Sequence, residues 1–125
     1  MAAINIGLGS TTILSGASLS GAVRGGGATL VRVTVPAAWT AANLQILGSD
    51  DGVTFVPLRD IFGTLIQIAA AAGQGYQVPP AMVHGWEWLQ LQSVTSGAVT
   101  TATVLTPVAQ AADRVLPFAV EVMTR

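Results

Sequence analysis

No apolar run in this chain lasts long before a glycine, proline, polar residue or charge breaks it, and between the breaks the apolar positions alternate. That pattern leaves few architectures open. A long amphipathic helix needs apolar residues at i, i+3, i+4 and i+7, whereas alternation with period two lines one face of a pleated strand. Val31, Val33 and Val35 alternate with Arg32 and Thr34 before Pro36 ends the run, and Leu44 and Ile46 flank Gln45. Leu89 and Leu91 alternate with Gln90 and Gln92, with Trp86 and Trp88 on the glutamine face. Near the C-terminus Leu116, Phe118, Val120 and Val122 are in phase while Glu121 points away. Of these, Val31, Val33, Val35, Leu44, Ile46, Leu89, Leu91, Phe118, Val120 and Val122 are expected to be mostly buried, and truncating Leu89 or Leu91 to Ala should cost about 2–5 kcal/mol.

Residues 43–49, 54–59, 65–68, 76–78, 86–92, 99–105 and 114–123 read as further strands, separated by turn residues. In Asp50-Asp51-Gly52 the carboxylates can bond nearby backbone amides and the glycine accepts positive φ. Residues 54–59 should therefore return as the hairpin partner of 43–49. Residues 37–42 are too few for a stable helix and form a connecting turn. Roughly seven to nine short strands at spacings of about ten residues predict an all-β fold, an antiparallel β-sandwich of jelly-roll type in a single domain. A chain of 125 residues can bury a core of its own.

Residues 1–28, ending in Arg24-Gly25-Gly26-Gly27, are rich in Gly, Ser, Thr and Ala and stand apart from the sandwich expected over 29–125. They form either an arm that orders on a neighbour or two short edge strands, around 4–6 and 12–14.

Charge is sparse, 9% of residues against about 25% in ordinary globular domains. Lys is absent, and five Arg against six acids give a net charge of -1. This offers no electrostatic footprint for nucleic acid and no basic amphipathic stretch for a membrane surface. Mean hydropathy is +0.62, yet no run approaches the ~20 apolar residues of a membrane-spanning helix. Residues 1–19 lack the positive start and continuous apolar core of a signal peptide. The absence of Cys removes disulfides, thiolate nucleophiles and thiolate metal sites. A surface with so few charges is either covered in an assembly or is a neutral Thr, Ser and Gln surface.

Little here suggests chemistry. The single histidine, His84, lies in a loop without a nucleophile motif around it. Asp50 and Asp51, with Asp60 across the hairpin, would need several carbonyls and waters to hold calcium, and turn formation is the simpler role. Gly25-Gly26-Gly27 lacks the Lys of a phosphate-binding loop. No enzyme, metal or cofactor is expected. Trp39, Tyr76, Trp86 and Trp88 are the candidate site residues, either as a platform for sugar rings or as core and subunit-interface packing.

The segment from Leu44 to Leu58, with Ser49-Asp50-Asp51-Gly52 at its turn, resembles the hairpin of discoidin-like and galactose-binding-like jelly rolls. Over most of its length the chain resembles small β-sandwich virion proteins of tailed bacteriophages, of the head-decoration or spike type. Ile13-Leu14-Ser15-Gly16-Ala17-Ser18-Leu19-Ser20-Gly21, Val35-Pro36-Ala37-Ala38-Trp39-Thr40-Ala41-Ala42-Asn43-Leu44 and Ser49-Asp50-Asp51-Gly52 carry that likeness. It implies a virion location after synthesis in the host cytoplasm. The scarcity of charge and the weakly patterned residues 1–28 point to copies of the chain itself as partners, with a trimer favoured by closed symmetry, and the virion context adds the major capsid protein or another virion protein. The alternative it leaves open is a carbohydrate-binding module of a tail fibre or baseplate.

Overall fold

The computed structural model describes residues 3–25, 28–95 and 105–124. Their strands are β1 (Ala3–Ile13), β2 (Val23–Arg24), β3 (Thr29–Thr34), β4 (Asn43–Ser49), β5 (Val56–Pro57), β6 (Gln67–Ile68), β7 (Gly75–Gln77), β8 (Trp88–Val94) and β9 (Arg114–Thr124). A 3-10 turn, Pro80–Met82, precedes β8. All pairings between strands are antiparallel. One sheet has the order β1-β9-β3-β7, and the other runs β2-β8-β4, with the far edge of β4 shared by β5 and β6. The chain is thus an all-β sandwich, and residues 54–59 do return alongside β4, through the two-residue β5.

Ile13, Leu30, Val33, Val35, Leu44, Ile46, Leu89, Leu91 and Leu116 fill the space between the sheets. Period two explains most of this set, because inward positions alternate along each strand. Two elements break the phase. In β3 the register against β9 slips between Leu30 and Arg32, so Val31 is a bulged extra residue. It is only half-buried, and Leu30 takes the inward position that simple alternation would give it. In β9 Leu116 is buried, but Phe118, Val120 and Val122 are half-buried. Opposite Phe118 and Val120, β1 presents Gly9 and Gly7, which bring no side chain to cover them. The phenyl ring lies so close to β1 that a Cβ on Gly9 would stand 2.7 Å from its Cζ.

The tryptophans also part company. Trp88 faces outward with Gln90 and Gln92, paired across from Ser49, Leu47 and Gln45. Trp86 precedes the strand, escapes its alternation and turns inward, packing against the core beside Leu58 and over Gly48.

β4 is buried along its whole length, on both faces. On its outward face the Asn43 amide donates to Gln67 and the Gln45 amide to Gln92, each at 3.2 Å. Leu65, Val94 and Leu105 form a second apolar cluster. The expected strand over 99–105 falls largely outside the described residues, but Leu105 itself is buried.

Gln110, 1% exposed, clamps three segments together. Its side chain donates to the Thr40 carbonyl (3.1 Å) and accepts from the Thr40 N–H (3.0 Å) and from Arg114 Nε (3.3 Å). Its backbone N–H donates to the Ala17 carbonyl, and its carbonyl accepts from the Gly16 N–H. Gln110→Ala is expected to lower the unfolding free energy by about 1–3 kcal/mol, because buried partners lose their bonds. Urea denaturation of the variant measures it.

Candidate functional site

Residues 1–28 contain a continuous edge strand rather than two short ones: β1 pairs with β9 from Ala3–Thr124 to Ile13–Arg114. Its other side is a sheet edge. At the C-terminal end Gly21 covers that edge, its N–H donating to the Thr12 carbonyl. Main-chain groups alternate between the two neighbours in an antiparallel ladder. Those of Ser10, Leu8 and Ile6 therefore point to the same open side as Thr12. Leu8 is 76% and Ile6 57% exposed. Short of that covered end, the strand carries no charge and no proline to deter a further strand.

The four aromatic candidates are distributed. Trp39 lies in the β3–β4 connection, half-buried against the core, its indole N–H donating to the Ala42 carbonyl at 3.2 Å. Tyr76, on β7, packs against the core, and its hydroxyl accepts from the Ala71 N–H at 2.8 Å. Trp86 and Trp88 both border the β4–β5 connection but rest against different glycines on opposite faces. A Cβ on Gly48 would meet the Trp86 ring at 2.5 Å, and one on Gly52 would meet the Trp88 ring at 2.8 Å. The guanidinium of Arg24 stands 5.5 Å over the Trp88 ring while Arg24 Nε donates to Glu87 at 2.9 Å.

The turn itself is built by Asp51. Its Oδ1 accepts from the N–H groups of Val53 (2.8 Å) and Thr54 (2.9 Å) and from the Ser49 hydroxyl (2.9 Å), and Gly52 follows with φ of 77°. The Thr54 amide first, then that of Val53 and the Ser49 hydroxyl, hold the Asp51 carboxyl below its ordinary value of 3.8. A lowered folded-state value means that the unfolded chain takes up the proton first. The turn's contribution to stability is therefore complete above pH 3.8 and is lost as the pH falls below it. Protection of the Val53 and Thr54 amides, relative to the intrinsic exchange rate at each pH, should fall over that acid range in the parent chain. Asp51→Asn should exchange faster already at neutral pH and show no such step.

Asp60 builds a second turn in the same manner, its Oδ1 accepting from Phe62 and Thr64 N–H. His84 is exposed, with Nδ1 3.4 Å from the Thr29 hydroxyl. Among the described residues no three His, Asp or Glu side chains gather where they could hold a metal ion. No helix among the described residues is long and apolar enough to cross a membrane.

The largest exposed apolar residues, Ile61 at 92%, Val53 at 83%, Phe62 at 79% and Leu8 at 76%, were not among the aromatic candidates. One signal in the sequence could have found two of them: Ile61 and Phe62 occupy the middle of a turn, where polar residues and glycine are usual.

No protein-family model and no curated protein matches the chain. Among solved structures, the crystal structure of the SPBc2 prophage-derived protein YomS matches it with a TM-score of 0.51 over 94% of this chain and 95% of that one. The two are 12% identical. The likeness is one of fold.

Proposed function

We propose that the chain is a non-enzymatic structural protein of a tailed-phage virion, an oligomeric capsid decoration or minor head protein or the base of a spike. The observation that carries this reading is the open, uncharged edge of β1, where Ile6, Leu8 and Ser10 offer main-chain donors and acceptors to another strand. The sequence resemblance to small virion proteins supports it. So does the shared fold with a protein described as prophage-derived.

Assembly by such an edge works through main-chain hydrogen bonds for register and burial of the flanking apolar side chains for affinity. Copies of the chain are the first partner, and the major capsid protein or another virion protein the second. A closed ring satisfies every identical interface, and a trimer suits the local threefold positions of an icosahedral shell. Neither nucleic acid nor a membrane has a role in this reading.

Deleting residues 1–28 would be a poor test, because Ile13 belongs to the core. Leu8→Lys places a charge on the edge while leaving the core untouched. The parent chain should sediment as an oligomer at micromolar concentration, or assemble on particles lacking it. Leu8→Lys should reduce that association with little change in melting temperature. A monomer that fails to bind such particles would reject the proposal, and binding on a glycan array would then favour the tail-fibre carbohydrate module.

A further inference from the structure

The edge of the sandwich opposite β1 carries a feature that the monomer does not use. Between β5 and β6 the chain makes a tight turn with Ile61 and Phe62 at its tip, 92% and 79% exposed. The turn is rigidly made. Asp60 Oδ1 accepts from Phe62 N–H (2.8 Å) and Thr64 N–H (3.0 Å), the Asp60 N–H donates to the Thr64 carbonyl, and Arg59 Nη1 donates to the Gly63 carbonyl (2.7 Å). Gly63, at φ of 81°, closes it. Two large apolar side chains are thus held out in water on a preorganised support, which lowers the ordering cost of docking them.

The finger itself walls one side of a hollow of about 320 Å³, and a second hollow of about 260 Å³ adjoins it, the two sharing Ile66 and Met82 as walls. Ile68, Tyr76 and Val78 extend the second. Finger and groove therefore belong to one patch. A twofold rotation about an axis between them sets each finger over the other copy's groove, which is the geometry of an isologous contact.

We infer that this patch joins two copies of the chain reciprocally, Ile61 and Phe62 of each copy entering the groove of the other. Three observations favour a second copy over other occupants. The complement of the finger is present on the same surface. The flanking charges are one Arg, Arg59, and one Asp, Asp60, so the patch is close to neutral and two copies do not repel. An anionic membrane would instead call for clustered basic residues. Burying two fingers and the groove walls removes on the order of 1,000 Å², the lower limit for a specific interface. The expected contact is accordingly weak. Because it lies across the sandwich from β1, it can coexist with strand addition there and link each subunit to neighbours on both sides.

Sedimentation of the full chain over about 1 to 100 µM tests the inference. It should be read in the Leu8→Lys background, so that association through β1 does not obscure it. Dimerisation should persist in that background and weaken about tenfold or more in Phe62→Asp. Met82→Glu, which alters the groove wall, should weaken it similarly, with unchanged melting temperatures in both variants. Mixing Phe62→Asp with Met82→Glu should restore part of the association, since one finger and one groove remain intact between them. A Leu8→Lys chain that is monomeric over the whole range overturns the inference. So does a dimer indifferent to Phe62→Asp, or a Phe62-dependent uptake onto phospholipid vesicles without any dimer.

Discussion

Replacing Gly48 by Val is expected to be the most damaging single change in this protein, costing on the order of 3 kcal/mol or more and lowering the yield of folded chain. Gly48 lies on β4, the strand that both faces of its sheet enclose, and pairs with Leu89. Even one added carbon would stand 2.5 Å from Cδ2 of Trp86 and 2.8 Å from Cδ2 of Leu58. The leucine methyl can give way, but the indole is a rigid plate lodged against the core. Gly48→Ala should therefore fall between the parent and Gly48→Val. Trp86→Leu, destabilising alone, should partly rescue Gly48→Ala, with a coupling of about 0.5–3 kcal/mol in the double-variant cycle. Strict additivity would show that the ring is not what excludes a side chain at position 48.

Leu91→Ala should cost about 2–5 kcal/mol, read as a shift of the urea midpoint at constant slope. Leu91 is 4% exposed, pairs with Ile46 and belongs to the main core. Its neighbour Leu89 is buried to a similar degree but pairs with Gly48. Both line a small apolar cavity of about 20 Å³, room for roughly one water, into which the surroundings can relax only slightly. A loss below roughly 0.5 kcal/mol at Leu91 would mean that β8 turns its other face to the core.

The edge strand and the finger raise a related physical point. Small sandwiches usually protect open edges with charge, proline or a bulge, and β1 has no charge or proline. Its glycines face inward to accommodate Phe118 and Val120, leaving isoleucine and leucine on the outer face. A chain that exposes Leu8 at one edge and Phe62 at the other gives up monomer solubility at both. That is understandable if both surfaces are covered in the assembled state.

The class of fold and the location of the principal strands follow from patterns local to the chain. Period-two alternation and turn chemistry act over a few residues, so Asn43–Ser49 and the start of β9 at Arg114 could be read without knowing what surrounds them. The Asp51 turn was legible for the same reason, since its partners Ser49, Val53 and Thr54 are all within three residues. Which alternating residues are truly covered depends on contacts between segments far apart in the chain. The slip that displaces Val31 arises in pairing with β9, and the coverage of Phe118 depends on glycines more than a hundred residues earlier in the chain. Trp86 and Trp88 share a parity in the sequence, yet the chain enters its strand between them and sends them to opposite faces. The exposure of Leu8, Ile61 and Phe62 was likewise beyond local reading. Whether a side chain is buried depends on the neighbours that the fold brings to it, and at these positions the described residues leave most of the side chain uncovered.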